Sequence, residues 1–104
     1  MLPDNMNLPS TKEFELLALL MHGEQAGRDL AKLYQREAGR KISYGTLYVT
    51  LNRMEDHKWV SSREDTDDVG KFTIYTITSG GRSAVNSFRS NAKGLSVFGL
   101  EIQT

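Results

Sequence analysis

The feature that most narrows the fold is a strand-forming stretch, Lys71 to Ile77, enclosed by segments of helical period. Phe72, Thr73, Ile74, Tyr75, Thr76 and Ile77 are all β-branched or aromatic, and the stretch reads as the return strand of a hairpin. The outgoing strand is the extended run that begins at Trp59-Val60 and continues to Glu64. Between them lies an acidic, turn-rich tip, Asp65-Thr66-Asp67-Asp68-Val69-Gly70, read as a loop too long for a two-residue turn. With 104 residues, the chain has room for one domain and one core.

Helical signals precede and follow the hairpin. Ser10-Thr11-Lys12-Glu13 is a capping box, and behind it Phe14, Leu17, Leu20 and Met21 recur at helical spacing, with Leu16 and Leu19 widening the apolar surface until Gly23. That is more apolar surface than one face needs. A second pattern runs from about Gly27 to Ala38, with Leu30, Leu33 and Tyr34 on one side and Gly39 as a left-handed terminator. Ser43 caps a third helix over Tyr44 to Asp56, whose buried stripe is Leu47, Leu51 and Met54. Its opposite arc holds Gly45, Val49, Asn52, Arg53 and Asp56, with Thr46 and Tyr48 on the flanks. Thr78 or Ser79 caps a last helix lined by Val85, Phe88 and Ala92, and Gly80-Gly81 weaken its first turn. The tail from Leu95 to Ile102 keeps five large apolar residues for which little core remains.

Three helices, a hairpin and a further helix define an α+β, mainly helical chain in the order of a winged helix-turn-helix, where the third helix enters a major groove and a two-stranded wing lies beside it. Residues 10–78 are expected to form the winged-helix DNA-binding domain, 79–104 a C-terminal dimerisation helix and tail, and 1–9 a flexible N-terminus. The formal net charge is zero, which by itself says nothing of polyanions. The distribution says more. Residues 40–63 carry five basic and two acidic side chains, whereas 1–39 carry four and six, and 64–104 carry four and five.

Ser43-Tyr44-Gly45-Thr46-Leu47-Tyr48, followed by Leu51-Asn52-Arg53-Met54-Glu55, resembles the Ser-Pro-Gly-Thr-Leu-Tyr-x-x-Leu-x-Arg-Leu-Glu signature of PadR-family transcriptional regulators. Leu16 to Leu20 with Gly23, Gly27-Arg28-Asp29-Leu30-Ala31-Lys32, and Tyr75-Thr76-Ile77-Thr78-Ser79-Gly80-Gly81-Arg82 agree in order and spacing, so the resemblance spans about residues 13 to 90. It implies a dimeric repressor with a winged-helix DNA-binding domain and, at this length, a minimal C-terminal pairing helix. A small aromatic effector bound between subunits is a further candidate partner, for which Trp59 is the stacking candidate beside its reading as a core anchor. The departures are local. Tyr44 stands where the family often has Pro, and Lys58 fills a helix-ending position usually held by Gly, which predicts a left-handed backbone cost. Arg28 replaces an aromatic, and Phe72-Thr73 replace wing Arg or Lys, while Glu64, Asp65, Asp67 and Asp68 crowd the wing.

Within this plan, Ser43, Gly45 and Thr46 sit at a helix N-terminus, where free N–H groups and the dipole favour a phosphate. Lys41, Tyr44 and Tyr48 flank that point and are expected to hold backbone oxygens. Asn52 and Arg53 reach base edges or the far phosphate row, with Asn52 the better reader of sequence. Lys71 is the one wing residue expected to touch DNA. Phe14, Leu17, Leu20, Val85, Phe88, Leu95 and Phe98 are expected to pair two copies, since a monomer would otherwise expose a large apolar patch. The expected partners are a pseudo-palindromic duplex and a second copy.

Other functions find less support. The chain has no Cys, which excludes a thiolate nucleophile, a disulfide scaffold and Cys-ligated metal. His22 and His57 read as helix-terminal residues, and Asp65, Asp67 and Asp68 lack the closing Glu of a calcium loop. No enzyme, cofactor or metal is expected. No apolar run approaches a membrane span, and Met1-Leu2-Pro3-Asp4 lacks the build of a secretory signal, so a cytoplasmic location is expected. The neutral charge and acidic wing leave one competing class, a winged-helix module that binds protein instead of DNA.

Overall fold

Helix α1, Thr11–Leu20, begins as the capping box requires. The Ser10 hydroxyl accepts the Glu13 N–H at 3.1 Å, and Glu13 Oε1 accepts the Ser10 N–H at 2.8 Å. Every residue from Glu13 to Leu20 is buried. This computed structural model describes residues 8–91, 96–97 and 100–101 of the chain. Around α1 follow β1 (Gln25–Ala26), α2 (Gly27–Ala38), α3 (Tyr44–Asp56), β2 (Val60–Thr66), β3 (Lys71–Ile77), α4 (Ser79–Asn91) and the short strands β4 (Ser96–Val97) and β5 (Leu100–Glu101). The winged-helix order expected from the sequence is the order observed.

The surplus apolar surface of the first helix has a different destination from the one expected. Helices α2, α3 and α4 and strand β3 all pack on α1, so it is a central helix that needs apolar residues on every side. Phe14, Leu17, Leu20 and Val85 are at most 1% exposed within the single chain and leave no area for a second one. Phe88 is half-buried, its ring stacked on Phe14 at 4.2 Å. Leu95 and Phe98 lie outside the described residues. Leu30 and Tyr34 of α2, Leu47, Leu51 and Met54 of α3, and Trp59, Val60, Tyr75 and Ile77 of the hairpin complete the core.

The sheet has one strand more than the sequence showed. Antiparallel β3 pairs with β2 throughout, from Val60 opposite Ile77 to Thr66 opposite Lys71, and with β1 through Gln25–Tyr75 and Ala26–Ile74. A two-residue strand has no period to detect. The wing tip is also tighter than expected: Asp67 and Gly70 exchange backbone hydrogen bonds at 3.0 and 3.2 Å, leaving only Asp68-Val69 as the loop. The Asp67 Oδ1 accepts the N–H groups of Val69 and Gly70, so the acidic side chain itself shapes the turn and strand pairing extends through Asp65 and Thr66. Gly70 takes φ 141° there.

Two joints fix α3 against its neighbours. At its end, Trp59 N–H bonds Met54 C=O at 3.0 Å and Lys58 N–H bonds Glu55 C=O at 2.9 Å, with Lys58 at φ 65°. This is a Schellman ending with Lys in the left-handed place that Gly fills most easily. Next, the Thr78 hydroxyl donates to the Lys58 C=O at 2.6 Å and accepts the Gly81 N–H at 3.0 Å, capping α4 directly over the turn. A Cβ on Gly81 would overlap the Trp59 carbonyl oxygen and lie 2.6 Å from Ile77 Cγ1. Gly81→Ala is therefore expected to destabilise the chain by about 2 kcal/mol or more, and Lys58→Gly to stabilise it by about 1 kcal/mol by relieving the left-handed strain. Opposite shifts of the urea midpoints of the two variants are the check.

Candidate nucleic-acid interface

The connection from α2 to α3 is anchored before it reaches the surface. Glu15 is 5% exposed; it accepts the Tyr34 hydroxyl at 2.7 Å and the Arg40 Nη2 at 2.9 and 3.0 Å through its two oxygens. Arg40 also donates to the Tyr34 oxygen at 2.9 Å. Burial, then the hydrogen bond to Glu15, pushes the Tyr34 phenol up from its ordinary value. Gly39 ends α2 at φ 73°, Ile42 packs on the core, and the chain is delivered to Ser43 with Lys41 exposed.

Ser43 caps α3 as expected, its hydroxyl accepting the Thr46 N–H at 3.1 Å and donating to Thr46 Oγ1 at 3.0 Å. The N–H groups of the first turn that the cap does not take face outward with the positive end of the dipole. Gly45 is exposed, and a Cβ built on it would meet nothing within 4 Å. The fold therefore does not require glycine there, whereas close approach by another molecule would. Tyr44 is 55% exposed and stacks on Tyr48 at 6.4 Å. Tyr48 lies over the start of α2, where a Cβ on Gly27 would come 2.6 Å from its hydroxyl.

Further along the outward arc stand Val49 and Asn52, both exposed. Arg53 is also exposed, but it is not simply directed outward, because its Nη1 lies 3.8 Å from Oε2 of the buried Glu13 on α1. Lys41 and Tyr44 line a shallow depression with Ala31, Lys32, Gln35 and Ile42, so two lysines flank the start of α3. Neither has an acidic partner among the described residues. Lys32 was not singled out from sequence, although its place on the polar side of the second helix was a usable signal.

The wing is held to the body by side-chain contacts at two places. Arg28 Nη2 bonds Asp67 Oδ2 at 2.6 Å, and the same guanidinium sits 4.4 Å over the Phe72 ring. Arg63 forms a bidentate pair with Glu24 at 2.8 and 2.9 Å. Arg28, Asp67 and Phe72 thus form one cluster that joins the start of α2 to the wing. Lys71 stands exposed at the start of β3 opposite Thr66. Thus Lys41, Ser43, Tyr44, Gly45, Thr46, Tyr48 and Asn52 lie along one helix and its approach, while Lys71 belongs to the wing and Arg53 leans on α1. Trp59 is 6% exposed with His57 stacked on it at 4.5 Å, a core anchor without an open face. Among the described residues no helix is long and apolar enough to cross a membrane.

Residues 16–87 match the family model described as the transcriptional regulator PadR-like family. No curated protein matches the sequence significantly. Solved structures of similar fold include the Bacillus subtilis PadR in complex with operator DNA, 21% identical over 74% of this chain with a TM-score of 0.68; this chain spans only 45% of that protein. A PadR family transcription regulator from Clostridium difficile is 21% identical, covering 79% of this chain and 86% of its own, with a TM-score of 0.69. A PadR-like transcriptional regulator from Bacillus cereus is 23% identical, covering 78% and 80%, with a TM-score of 0.68.

The Arg28 guanidinium, then the Val69 N–H, hold the Asp67 carboxyl below the ordinary aspartate range. A carboxyl lowered in the folded chain contributes stability above its unfolded value and loses that contribution as pH falls through the folded one. The wing contact should therefore persist through the ordinary aspartate range on acidification and release below it. A carboxyl-carbon NMR titration of Asp67 should give a midpoint below that of an aspartate in a free peptide, and Arg28→Ala should raise it.

Proposed function

The chain belongs to the PadR-like family of transcriptional regulators, and from that premise we propose that it binds duplex DNA sequence-specifically as a homodimeric repressor in the cytoplasm. The observation that carries the proposal is the start of α3: a Ser43-capped N-terminus, a glycine the fold does not need, and Lys41 and Lys32 beside it without acidic partners among the described residues. Ser43, Gly45 and Thr46 would position a phosphate on the helix N-terminus, with Lys41, Tyr44 and Tyr48 on adjoining backbone oxygens. Asn52 would read a base edge in the major groove. The Bacillus subtilis relative solved with operator DNA supports the same use of the fold.

Residues 10–78 are assigned to DNA contact and 79–104 to pairing. Because α4 packs on α1 through Val85 and Phe88, pairing through the C-terminal segment would hold two reading helices in fixed relation. A two-fold arrangement that places them roughly 34–36 Å apart suits a pseudo-palindromic site. The wing contributes little in this reading, since Arg28 and Arg63 are committed to Asp67 and Glu24, and Lys71 is left as its contact.

Selection of bound sequences from a random duplex library tests the proposal. A pseudo-palindromic motif is expected, and a sedimentation mass of two chains at low micromolar concentration. Lys41→Ala should weaken binding to all duplexes alike and lower the salt slope by about one phosphate contact. Asn52→Ala should relax preference at one base position at a cost of roughly 1–3 kcal/mol. Lys71→Ala should matter less than Lys41→Ala. Equal affinity for all duplexes at physiological salt would overturn the reading in favour of a winged-helix module that binds protein.

A further inference from the structure

The reading arc of α3 has a chemical bias, and part of it is imposed from α1. On that arc Arg53 is the side chain with the paired donors that suit guanine O6 and N7. Its guanidinium is drawn toward Glu13, which is 4% exposed. One oxygen of Glu13, Oε1, is occupied by the Ser10 N–H. The other, Oε2, is buried with no hydrogen-bond partner and has Arg53 Nη1 at 3.8 Å. The Arg53 side chain is itself 61% exposed and makes no hydrogen bond to Glu13, so its hold is electrostatic: extending it into a groove would take away the cation nearest to a buried oxygen that has no hydrogen-bond partner.

What the arc leaves facing outward is small, then apolar, then amide. Gly45 has open space around it, Val49 is 61% exposed, and Asn52 is exposed one turn on. An isopropyl group in the middle of a polar reading surface gains nothing from water, and it matches the C5-methyl of thymine, while the Asn52 amide matches adenine N6 and N7. Val49 and Asn52 are about 4.5 Å apart along the helix axis, against a base-pair rise of about 3.4 Å. They would therefore meet neighbouring or next-neighbouring pairs.

We propose that the half-site presents A·T pairs to this arc, a thymine methyl against Val49 and an adenine edge against Asn52, and that Glu13 is a positioning residue that withholds Arg53 from guanine. The inference rests on the DNA-binding reading above and specifies its target.

The test uses the full chain, a random duplex library and Glu13→Gln, which keeps an acceptor for the Ser10 N–H while removing the charge. The wild-type motif should show A·T pairs at two nearby positions of each half-site. Replacing the thymine of the Val49 position by deoxyuridine should weaken wild-type binding about threefold to fivefold, the worth of one buried methyl, and should leave Val49→Ala binding unaffected. Glu13→Gln should gain preference for guanine at one adjacent position; Glu13→Gln with Arg53→Ala should lose that gain. Thermal denaturation confirms that each variant is folded. An enriched wild-type motif with G·C at these positions, indifference to deoxyuridine, or a Glu13→Gln motif identical to wild type in a folded variant overturns this inference alone. A wild-type pool with no enrichment overturns the DNA-binding reading and this inference with it.

Discussion

The burial of α1 along its whole length governs the architecture. Eight successive residues from Glu13 to Leu20 are removed from water, and two of them are carboxylates that must be compensated within the protein. Glu15 is met by Tyr34 and Arg40, and Glu13 by the Ser10 N–H and Arg53. Apart from Ser10, the cap of α1 itself, these partners lie on α2, on the connection leading into α3, and on α3. The same helix that supplies the apolar centre of the core therefore also anchors α3 and the connection that leads into it. Replacing either carboxylate changes packing and surface electrostatics together.

The wing shows a different economy of charge. An acidic hairpin beside a polyanion would be repelled, and here the acidity is partly turned inward. Asp67 builds its own tight turn and takes the Arg28 guanidinium, and Glu24 takes Arg63. Ion pairs this exposed add little to stability, but they settle where the hairpin lies relative to α2. The cations they use already face carboxylates, whereas Lys41 and Lys32 beside the start of α3 and Lys71 on the wing have no acidic partner among the described residues.

Much of the fold was legible because its signals are local. Ser10 and Glu13, Gly39, Ser43 and Thr78 each act within a few residues of the helix end they mark, and the α3 stripe of Leu47, Leu51 and Met54 is buried as its spacing requires. What escaped was long-range or too short to have a period. The Gln25–Ala26 strand exists only because β3 offers it an edge. The run of acidic and turn-forming residues at the hairpin tip has the composition of a long loop, and only the Asp67 side chain, by accepting the Val69 and Gly70 N–H groups, closes it into a tight turn. The apolar excess of α1 suggested a second chain because sequence does not reveal how many neighbours a helix has. For the candidate site, the cap at Ser43 and the exposed positions of Lys41, Tyr44 and Gly45 follow from local pattern. The lean of Arg53 depends on Glu13, a residue distant in sequence, and no pattern within α3 contains it.

The clasp at Thr78 has a mechanical consequence. One hydroxyl joins the turn that ends α3 to the first turn of α4, and Gly81 lets the two backbones touch with no side chain between them. Such a joint has little give. In this molecule the end of α3 and the start of α4 meet backbone to backbone, so the direction in which one leaves the joint constrains the direction of the other.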